Sequence, residues 1–235
     1  MQSARTTSHQ PDAFLGVLML DTRFPRPAGD IGNPETFRRH DIPVRFHVVE
    51  GASPVRIVKQ ADPALLKPFV EAAQAMAAQG AAMITTSCGF LAAYQQTLAT
   101  AVAVPVVTSS LLQCKDVARP GILTFDAEAL SPQILVAAGV PPATPVQGVA
   151  PGCEFHRRIL HNETQLDVVE AGRNVVDAAC RLVALSPSIE SIVLECTNMP
   201  PYREAVARAT GRRVYDIETL LLARWVNRAA LKSTK

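Results

Sequence analysis

The sequence predicts an α/β fold of two similar domains. Each is a parallel sheet flanked by helices, and a pseudo-twofold axis relates the two across a cleft. Three observations predict it. Apolar strands alternate with helical segments along the chain, which is typical of parallel sheets covered on both faces. The pattern restarts near residue 120. In each half, a cysteine follows a predicted strand at a matching place, at Cys88 and at Cys196.

The first half contains four apolar runs that we interpret as strands. They are Ala13–Leu20, Val44–Val49, Ala81–Thr86 and Val104–Thr108. A helix is predicted over Pro63–Gln79, because apolar residues recur there every three or four positions, and Gly80 ends it. Shorter helices are predicted over Phe90–Thr100 and Leu111–Val117.

The second half repeats this alternation. Its predicted strands are Gly121–Phe125, Val146–Val149, Ser191–Leu194 and Arg213–Asp216. Its predicted helices are Ser131–Ala138, Asp167–Leu185, Tyr202–Thr210 and Thr219–Leu231. Asp21 and Asp126 follow matching strands 105 residues apart, and the two cysteines lie 108 residues apart, so we infer an internal duplication. We expect residues 13–117 and 217–235 to form the first domain, 118–216 to form the second, and 1–12 to be a flexible tail.

Composition narrows the classes of function. The 235 residues are 48% hydrophobic and 19% charged, as in an ordinary globular protein. A net charge of +2 argues against a nucleic-acid partner or a membrane surface. The apolar runs are far shorter than the ~18–20 residues of a membrane span. Five cysteines, without a secretory segment before them, favour free thiols in a reducing compartment, so a cytoplasmic localisation is predicted.

The two strand-end cysteines are the candidate catalytic residues. Ligands bind outside the carboxyl ends of parallel strands, where both thiols are expected. Each also lies near a predicted helix start, which favours the thiolate. An unperturbed thiol titrates at about 8.5, so we expect one thiolate near neutrality, as removal of a proton from carbon requires. Two such thiols across a cleft could take a proton from one face of a carbon and return one to the other.

Polar residues flank both thiols. They are Thr85, Thr86 and Ser87 before the first, and Thr197 and Asn198 after the second. Hydroxyls, amides and free backbone N–H groups can hold a carboxylate, so a small-molecule carboxylate substrate is predicted. Strand alternation predicts that Glu195 points to the opposite face from Cys196, as a packing or salt-bridge residue.

Three segments resemble the aspartate/glutamate/hydantoin racemase superfamily. They are Leu18-Met19-Leu20-Asp21-Thr22, Thr85-Thr86-Ser87-Cys88-Gly89 and Glu195-Cys196-Thr197-Asn198. The resemblance implies two similar α/β domains with the site in the cleft between them. It also implies cofactor-independent racemisation, in which one thiolate removes the α-proton and the other thiol reprotonates the opposite face.

The resemblance also implies roles for individual residues. Cys88 and Cys196 would be the acid/base pair, and Asp21 would lie near the substrate ammonium or poise Cys88. The substrate carboxylate would be bound by Thr86, Ser87, Gly89 and Thr197, with Asn198 also at the substrate. The final helix would return to the first domain. Gly89-Phe90 stands where amino-acid racemases often have Asn-Thr, and Asn198 where some relatives have His or Glu, so a bulkier or less polar substrate than glutamate is left open.

Three functions remain open at this stage. The first is a racemase or epimerase of an amino acid or related carboxylate. The second is a cysteine-dependent decarboxylase or cis–trans isomerase on the same scaffold, which the Gly89-Phe90 departure motivates. The third is a non-catalytic module that closes on a small ligand.

Two further features have weaker interpretations. The Pro- and Gly-rich segment from Asp21 to Phe37 could be a lid over the cleft or a surface connection, and its Arg23 and Arg26 could meet a distal carboxylate. Cys153, His156 and His161 lack a second pair of ligands, so neither a metal site nor a cofactor is predicted. A homo-oligomer is left open.

Overall fold

The first half of the chain forms a four-stranded parallel sheet in a computed structural model that describes residues 13–228. Its strands are β1 (Phe14–Leu20), β2 (Val44–Val49), β3 (Ala81–Thr86) and β4 (Val106–Val107). They are ordered β2-β1-β3-β4, and every pairing is parallel. β1 and β3 are buried along their whole lengths. Strands covered on both faces need no polar alternation, which explains their continuous apolar runs.

The second half repeats the first sheet. Its strands are β5 (Pro120–Thr124), β6 (Val146–Gly148), β7 (Ser191–Leu194) and β8 (Arg213–Tyr215). Their order is β6-β5-β7-β8, again entirely parallel. The predicted fold class of two similar parallel α/β units is confirmed. In each sheet, the strand that precedes the cysteine occupies the third position.

Helices flank both sheets. They are α1 (Glu35–Arg38), α2 (Leu66–Ala78), α3 (Gln95–Ala101), α4 (Pro132–Ala137), α5 (Glu154–Leu160), α6 (Val168–Leu185), α7 (Arg203–Thr210) and α8 (Ile217–Val226). The sequence patterns did not predict α1, α5 or a short π-helical segment over Val55–Lys59. These are too short to show an apolar period. In α5, Arg158 pairs with Glu154 and Glu163, so ionic contacts help to hold this helix.

The segments after β3 and β4 differ from the prediction. The chain forms a 3₁₀ helix over Gly89–Tyr94 before α3 begins, and another over Ser110–Asp116. β4 is shorter than predicted, and the side chain of Gln95 binds beside it, donating to Val106 O at 2.9 Å and accepting from Thr108 N at 3.0 Å.

Helix α8 packs on the first sheet rather than on the second. Its Ile217, Leu221 and Trp225 share a buried cluster with Leu15 and Val17 of β1. This is the return that the resemblance implied, although the exact domain limits stay a prediction. The expected tail at 1–12 and the final residues 229–235 lie outside the described residues. No helix within 13–228 is long and apolar enough to cross a membrane.

The two halves share a buried interface. One apolar cluster contains residues of both sheets, including Leu18 of β1 and Ile122 of β5. Ser110 Oγ donates a hydrogen bond of 2.6 Å to the carbonyl oxygen of Leu194, the last residue of β7. Gln113 Nε2 donates to Asp216 O at 3.0 Å. These contacts hold the carboxyl ends of the two sheets close to each other.

Candidate active site

A narrow cavity lies between the halves, where β3 and β7 end. About 380 Å³ at this place is not occupied by atoms, a volume that includes open solvent at the mouth of the cavity. The apolar residues of its wall are mainly Leu20, Phe24, Val58, Phe90, Phe125 and Ile159. The polar residues of its wall include Arg26, Ser87, Cys88, Glu195, Cys196, Thr197 and Asn198. Such a cavity suits a small molecule with one polar end.

Both candidate thiols open into this cavity. Cys88 is 9% exposed and Cys196 is 7% exposed. The Cys196 thiol donates to Asn198 Oδ1 at 3.5 Å. Both residues line the same cavity, and a thiolate on Cys88 would raise the pKa of Cys196. The structure therefore brings the two cysteines to one site.

The thiols differ from the expectation in their protonation. Burial and, to a smaller extent, the negative charge of Glu195 together raise the pKa of Cys88 to about 12. Burial and Glu195 also raise the pKa of Cys196 well above its ordinary value. The main-chain N–H groups of Phe90 and Leu91 lower the pKa of Cys88, but by less. The expected thiolate near neutrality is wrong for this closed cavity, because desolvation outweighs the helix starts.

Glu195 faces the cavity, so the prediction that it points to the opposite face is wrong. β7 ends at Leu194, and alternation along a strand no longer fixes the direction of the next side chain. Its Oε2 accepts hydrogen bonds from Thr124 Oγ1 at 2.8 Å and from Phe125 N at 3.4 Å. Burial raises the pKa of this carboxyl group to about 7.

Gly89 is required by this carboxyl group. A Cβ added to Gly89 would overlap Oε1 and the main-chain carbonyl oxygen of Glu195. Only glycine leaves room for the carboxyl group beside the first thiol loop. The glycine after Cys88 was the signal in the sequence that could have led to Glu195.

Hydrogen bonds join the loops that carry the two thiols. Ser87 Oγ accepts from Leu20 N at 2.8 Å, while Thr197 Oγ1 donates to Ser87 O at 2.7 Å. Asn198 Nδ2 donates to Asp30 Oδ2 at 2.6 Å. Ser87, Thr197 and Asn198 thus line the cavity and also hold its wall in place.

Solved structures of a decarboxylase and of racemases share this architecture. Unliganded arylmalonate decarboxylase is 17% identical over 94% of both chains, with a TM-score of 0.55. A glutamate racemase isoform from Bacillus anthracis is 15% identical over 93% of this chain and 83% of its own, with a TM-score of 0.60. This chain shares its fold with these two enzymes, which agrees with the fold that the resemblance to the racemase superfamily implied. No family model matches the sequence.

The curated relatives that the sequence matches are named as lyases rather than as racemases. Dimethylsulfoniopropionate lyase 7 of Emiliania huxleyi is 33% identical over 87% of this chain and 64% of its own length. A dimethylsulfoniopropionate lyase of Durusdinium sp. clade D is 28% identical over 87% of this chain and 71% of its own length. The chain therefore spans less than two thirds of the first relative.

Two residues that the superfamily resemblance placed at the substrate lie outside the cavity wall. Asp21 is exposed, and its Oδ2 accepts from Gly51 N at 3.2 Å. Thr86 is buried behind the first thiol, where its Oγ1 donates to Thr108 O at 2.7 Å and lies 3.0 Å from Cys88 O. Thr86 shapes the thiol loop, while Asp21 holds the turn after β2.

The Pro- and Gly-rich segment covers the cavity of this racemase-type fold. Phe24 and Arg26 contribute to the cavity wall. The Arg26 guanidinium donates to Asp30 Oδ1 at 2.7 Å and lies 4.6 Å from the ring centre of Phe24. Arg23 instead lies outside the wall, and its backbone N–H donates to Asn162 Oδ1 at 2.6 Å.

An ion pair near the cavity was not foreseen in the sequence. Lys59, in the first half, binds the carboxylate of Asp126, which follows β5. His156 stacks on Phe125 with ring centres 4.9 Å apart, and its Nε2 lies 3.4 Å from Asp126 Oδ2. Within residues 13–228, no cluster of three or more His, Cys, Asp or Glu could hold a metal ion.

Proposed function

We propose that the chain is an enzyme that removes the proton beside a small substrate's carboxylate with a cysteine thiolate. We further propose that it completes a lyase reaction of the kind named in its relatives, the cleavage of dimethylsulfoniopropionate. One observation carries the proposal: Cys88 and Cys196 open into one closed cavity at matching strand ends. The geometry suits proton transfer at a carbon held between them.

Elimination and racemisation share their first step. A thiolate takes the proton from the carbon next to the carboxylate. In elimination, the electron pair of that C–H bond forms a C=C bond, and the C–S bond at the neighbouring carbon breaks. Dimethylsulfoniopropionate would then give acrylate and dimethyl sulfide. In racemisation, the second thiol returns a proton to the same carbon instead. The substrate's leaving group therefore decides between the two reactions.

The cavity favours a substrate without an α-ammonium group. An ammonium needs acceptors such as a carboxylate, and Asp21 lies outside the wall. Glu195 is the carboxyl side chain found in the cavity wall among the described residues. Burial raises its pKa to about 7, which makes it a weak partner for a cation below neutrality. This observation supports elimination over amino-acid racemisation.

The aromatic residues of the cavity wall suit a sulfonium group. Phe24, Phe90 and Phe125 present aromatic rings there, and cations bind to aromatic faces. A bound cation would also favour ionisation of a nearby thiol, since opposite charges stabilise the thiolate. The substrate could thus add positive charge to that of Arg26, which lies in the cavity wall and lowers the pKa of Cys88.

Dimethyl sulfide release tests the proposal. The purified chain is incubated with dimethylsulfoniopropionate, and the gas above the solution is analysed. We expect Cys88→Ala or Cys196→Ala to lower kcat/KM by about 100-fold or more, the range for a lost acid or base. Cys180→Ala, at an exposed cysteine, is the matched control and should keep the parental rate. No dimethyl sulfide from the parent chain would overturn the lyase proposal.

Racemisation is the second candidate, because both thiols reach the cavity and elimination strictly needs only one. It predicts that an amino acid or related α-carbon acid exchanges its α-proton with heavy water without net conversion. Proton NMR of candidate substrates would show that exchange. A new product, in contrast, would indicate a lyase.

A further inference from the structure

Glu195 is a buried carboxyl group that the two-thiol chemistry leaves without a role. Its Oε2 is held by Thr124 and by Phe125 N, but its Oε1 has no hydrogen-bond partner among residues 13–228. A buried oxygen without a partner costs about 1–3 kcal/mol. The side chain is fully buried and forms part of the cavity wall. A purely structural role does not account for an unsatisfied oxygen at this place.

Glu195 is close to both thiols. It directly precedes Cys196 in the chain. Its Oε1 lies against Gly89, the residue directly after Cys88, since an added Cβ there would overlap it. Its negative charge raises the pKa of both cysteines, and in each case only burial has a larger effect. One carboxyl group thus acts on both sulfurs.

We propose that Glu195 carries the resting negative charge of the site and accepts, on Oε1, the proton of the thiol that becomes the base. In this step, the Sγ–H bond breaks, an Oε1–H bond forms, and the electron pair stays on sulfur. The net charge of the cavity does not change, so no proton has to leave the closed site. Glu195 acts through the thiol and is therefore a positioning residue. This inference rests on the proposed function, which needs the thiolate.

The surrounding charges are consistent with this role. The pKa of Glu195 is raised to about 7, because burial and the charge of Asp126 raise it by more than the hydrogen bonds from Thr124 and Phe125 N lower it. Other titratable groups that act on the thiols or face Cys196 are Arg26, Asp30 and Tyr202. With thiol pKa values far above neutrality, a single negative charge at pH 7 to 8 rests on Glu195.

The dependence of activity on pH tests the inference. For the parent chain with dimethylsulfoniopropionate, we expect kcat/KM to rise as the pH passes about 7, where Glu195 ionises, and then to level off. In Glu195→Gln the thiol must lose its proton to solvent. The rise should therefore move to about pH 8.5 or above, the range of an ordinary thiol. In Glu195→Gln, kcat/KM should still rise at pH values where that of the parent has already levelled off.

Two further variants keep the test decisive. Glu190 stands at the other end of β7, where it pairs with Arg119 at the surface, so Glu190→Gln should keep the parental profile. Thr124→Val retains Glu195 but removes the hydroxyl that binds Oε2, and its rise should move to higher pH. If kcat/KM rises at the same pH in the parent and in Glu195→Gln, the inference is wrong. If Glu195→Gln does not fold, an unshifted Thr124→Val profile overturns it.

A titration without substrate separates this inference from the proposed function. Ultraviolet absorbance reports thiolate formation, in a background with Cys153→Ser and Cys180→Ser. Because Glu195 raises both thiol pKa values, thiolates should appear at lower pH in Glu195→Gln than in the parent. If the parent releases no dimethyl sulfide, the proposed function fails and this titration alone decides. Coincident curves would then reject the role of Glu195.

Discussion

Asn198 Nδ2 donates a hydrogen bond of 2.6 Å to Asp30 Oδ2, while the other oxygen of Asp30 accepts from Arg26 Nη1 at 2.7 Å. This pair of contacts ties the loop of the second thiol to the segment that covers the cavity. Asp30 is almost completely buried, so its charge is balanced mainly by Arg26. Closure of the cavity therefore depends on one carboxylate.

Replacing that carboxylate should loosen the cover. We expect Asp30→Asn to lower the free energy of unfolding by about 2 kcal/mol, the range for a hydrogen bond to a charged group. Hydrogen exchange across residues 22–34 should also become faster. Asp41→Asn, in an exposed turn, is the control. Unchanged exchange in the covering segment would show that Asp30 does not hold it.

The five cysteines should differ strongly in their reaction with iodoacetamide. Cys180 is exposed and Cys153 is half-buried, whereas Cys88, Cys114 and Cys196 are buried. Burial also raises the pKa of these three buried thiols, and only the thiolate reacts. At pH 8 we expect mass spectrometry to find the first adduct on Cys180. Equal rates in urea would confirm that the fold protects the others, while rapid labelling of Cys88 in the native chain would contradict a closed site.

The ion pair between Lys59 and Asp126 joins the two halves beside the cavity. Lys59→Met keeps the aliphatic stem but removes this pair. An ion pair at a partly exposed position is worth up to about 1 kcal/mol, so labelling of Cys88 should accelerate up to about fivefold. Lys67→Met, which removes an exposed pair within α2, should not change the rate. Equal rates in the two variants would argue against Lys59 as a closing contact.

Glu218 should make stability depend on pH. Burial would raise its pKa, but Arg39 and His40, followed by Arg203, lower it overall. Because the folded pKa lies below the unfolded value of about 4.3, its contribution is present above that pH. The contribution is lost as the pH falls through the folded value. Glu218→Gln should thus be less stable than the parent at pH 7, by about 1–3 kcal/mol.

Urea unfolding between pH 3 and 7 checks this sign. The difference between the parent and Glu218→Gln should shrink below about pH 4. Asp216 has a pKa that burial raises, so it acts in the opposite direction, but it is present in both proteins. A difference that stays constant across the whole range would rule out ionisation of Glu218 as its source.

Local patterns in the sequence were sufficient to predict the strands and the placement of the thiols. β1 and β3 are continuous apolar runs, and Cys88 and Cys196 follow strand ends, so both sulfurs reach the same edge. The direction of Glu195 could not be predicted, because it lies one residue beyond the regular strand. The raised pKa values of the two thiols could not be predicted either, because they arise from desolvation by segments distant in the sequence.

Ser110 has a consequence for how a substrate enters. Its hydroxyl is bound to the carbonyl oxygen at the end of β7, within the buried seam between the sheets. If the two sheets moved apart, the Ser110 hydroxyl and the carbonyl oxygen of Leu194 would lose this hydrogen bond inside a buried interface. If a substrate enters where the short segments around Phe24 move, the hydrogen bond of Ser110 stays intact. In the proposed reaction, turnover would then be limited by local motion of a few peripheral residues, and substitutions there would change the rate while Cys88 and Cys196 stay unchanged.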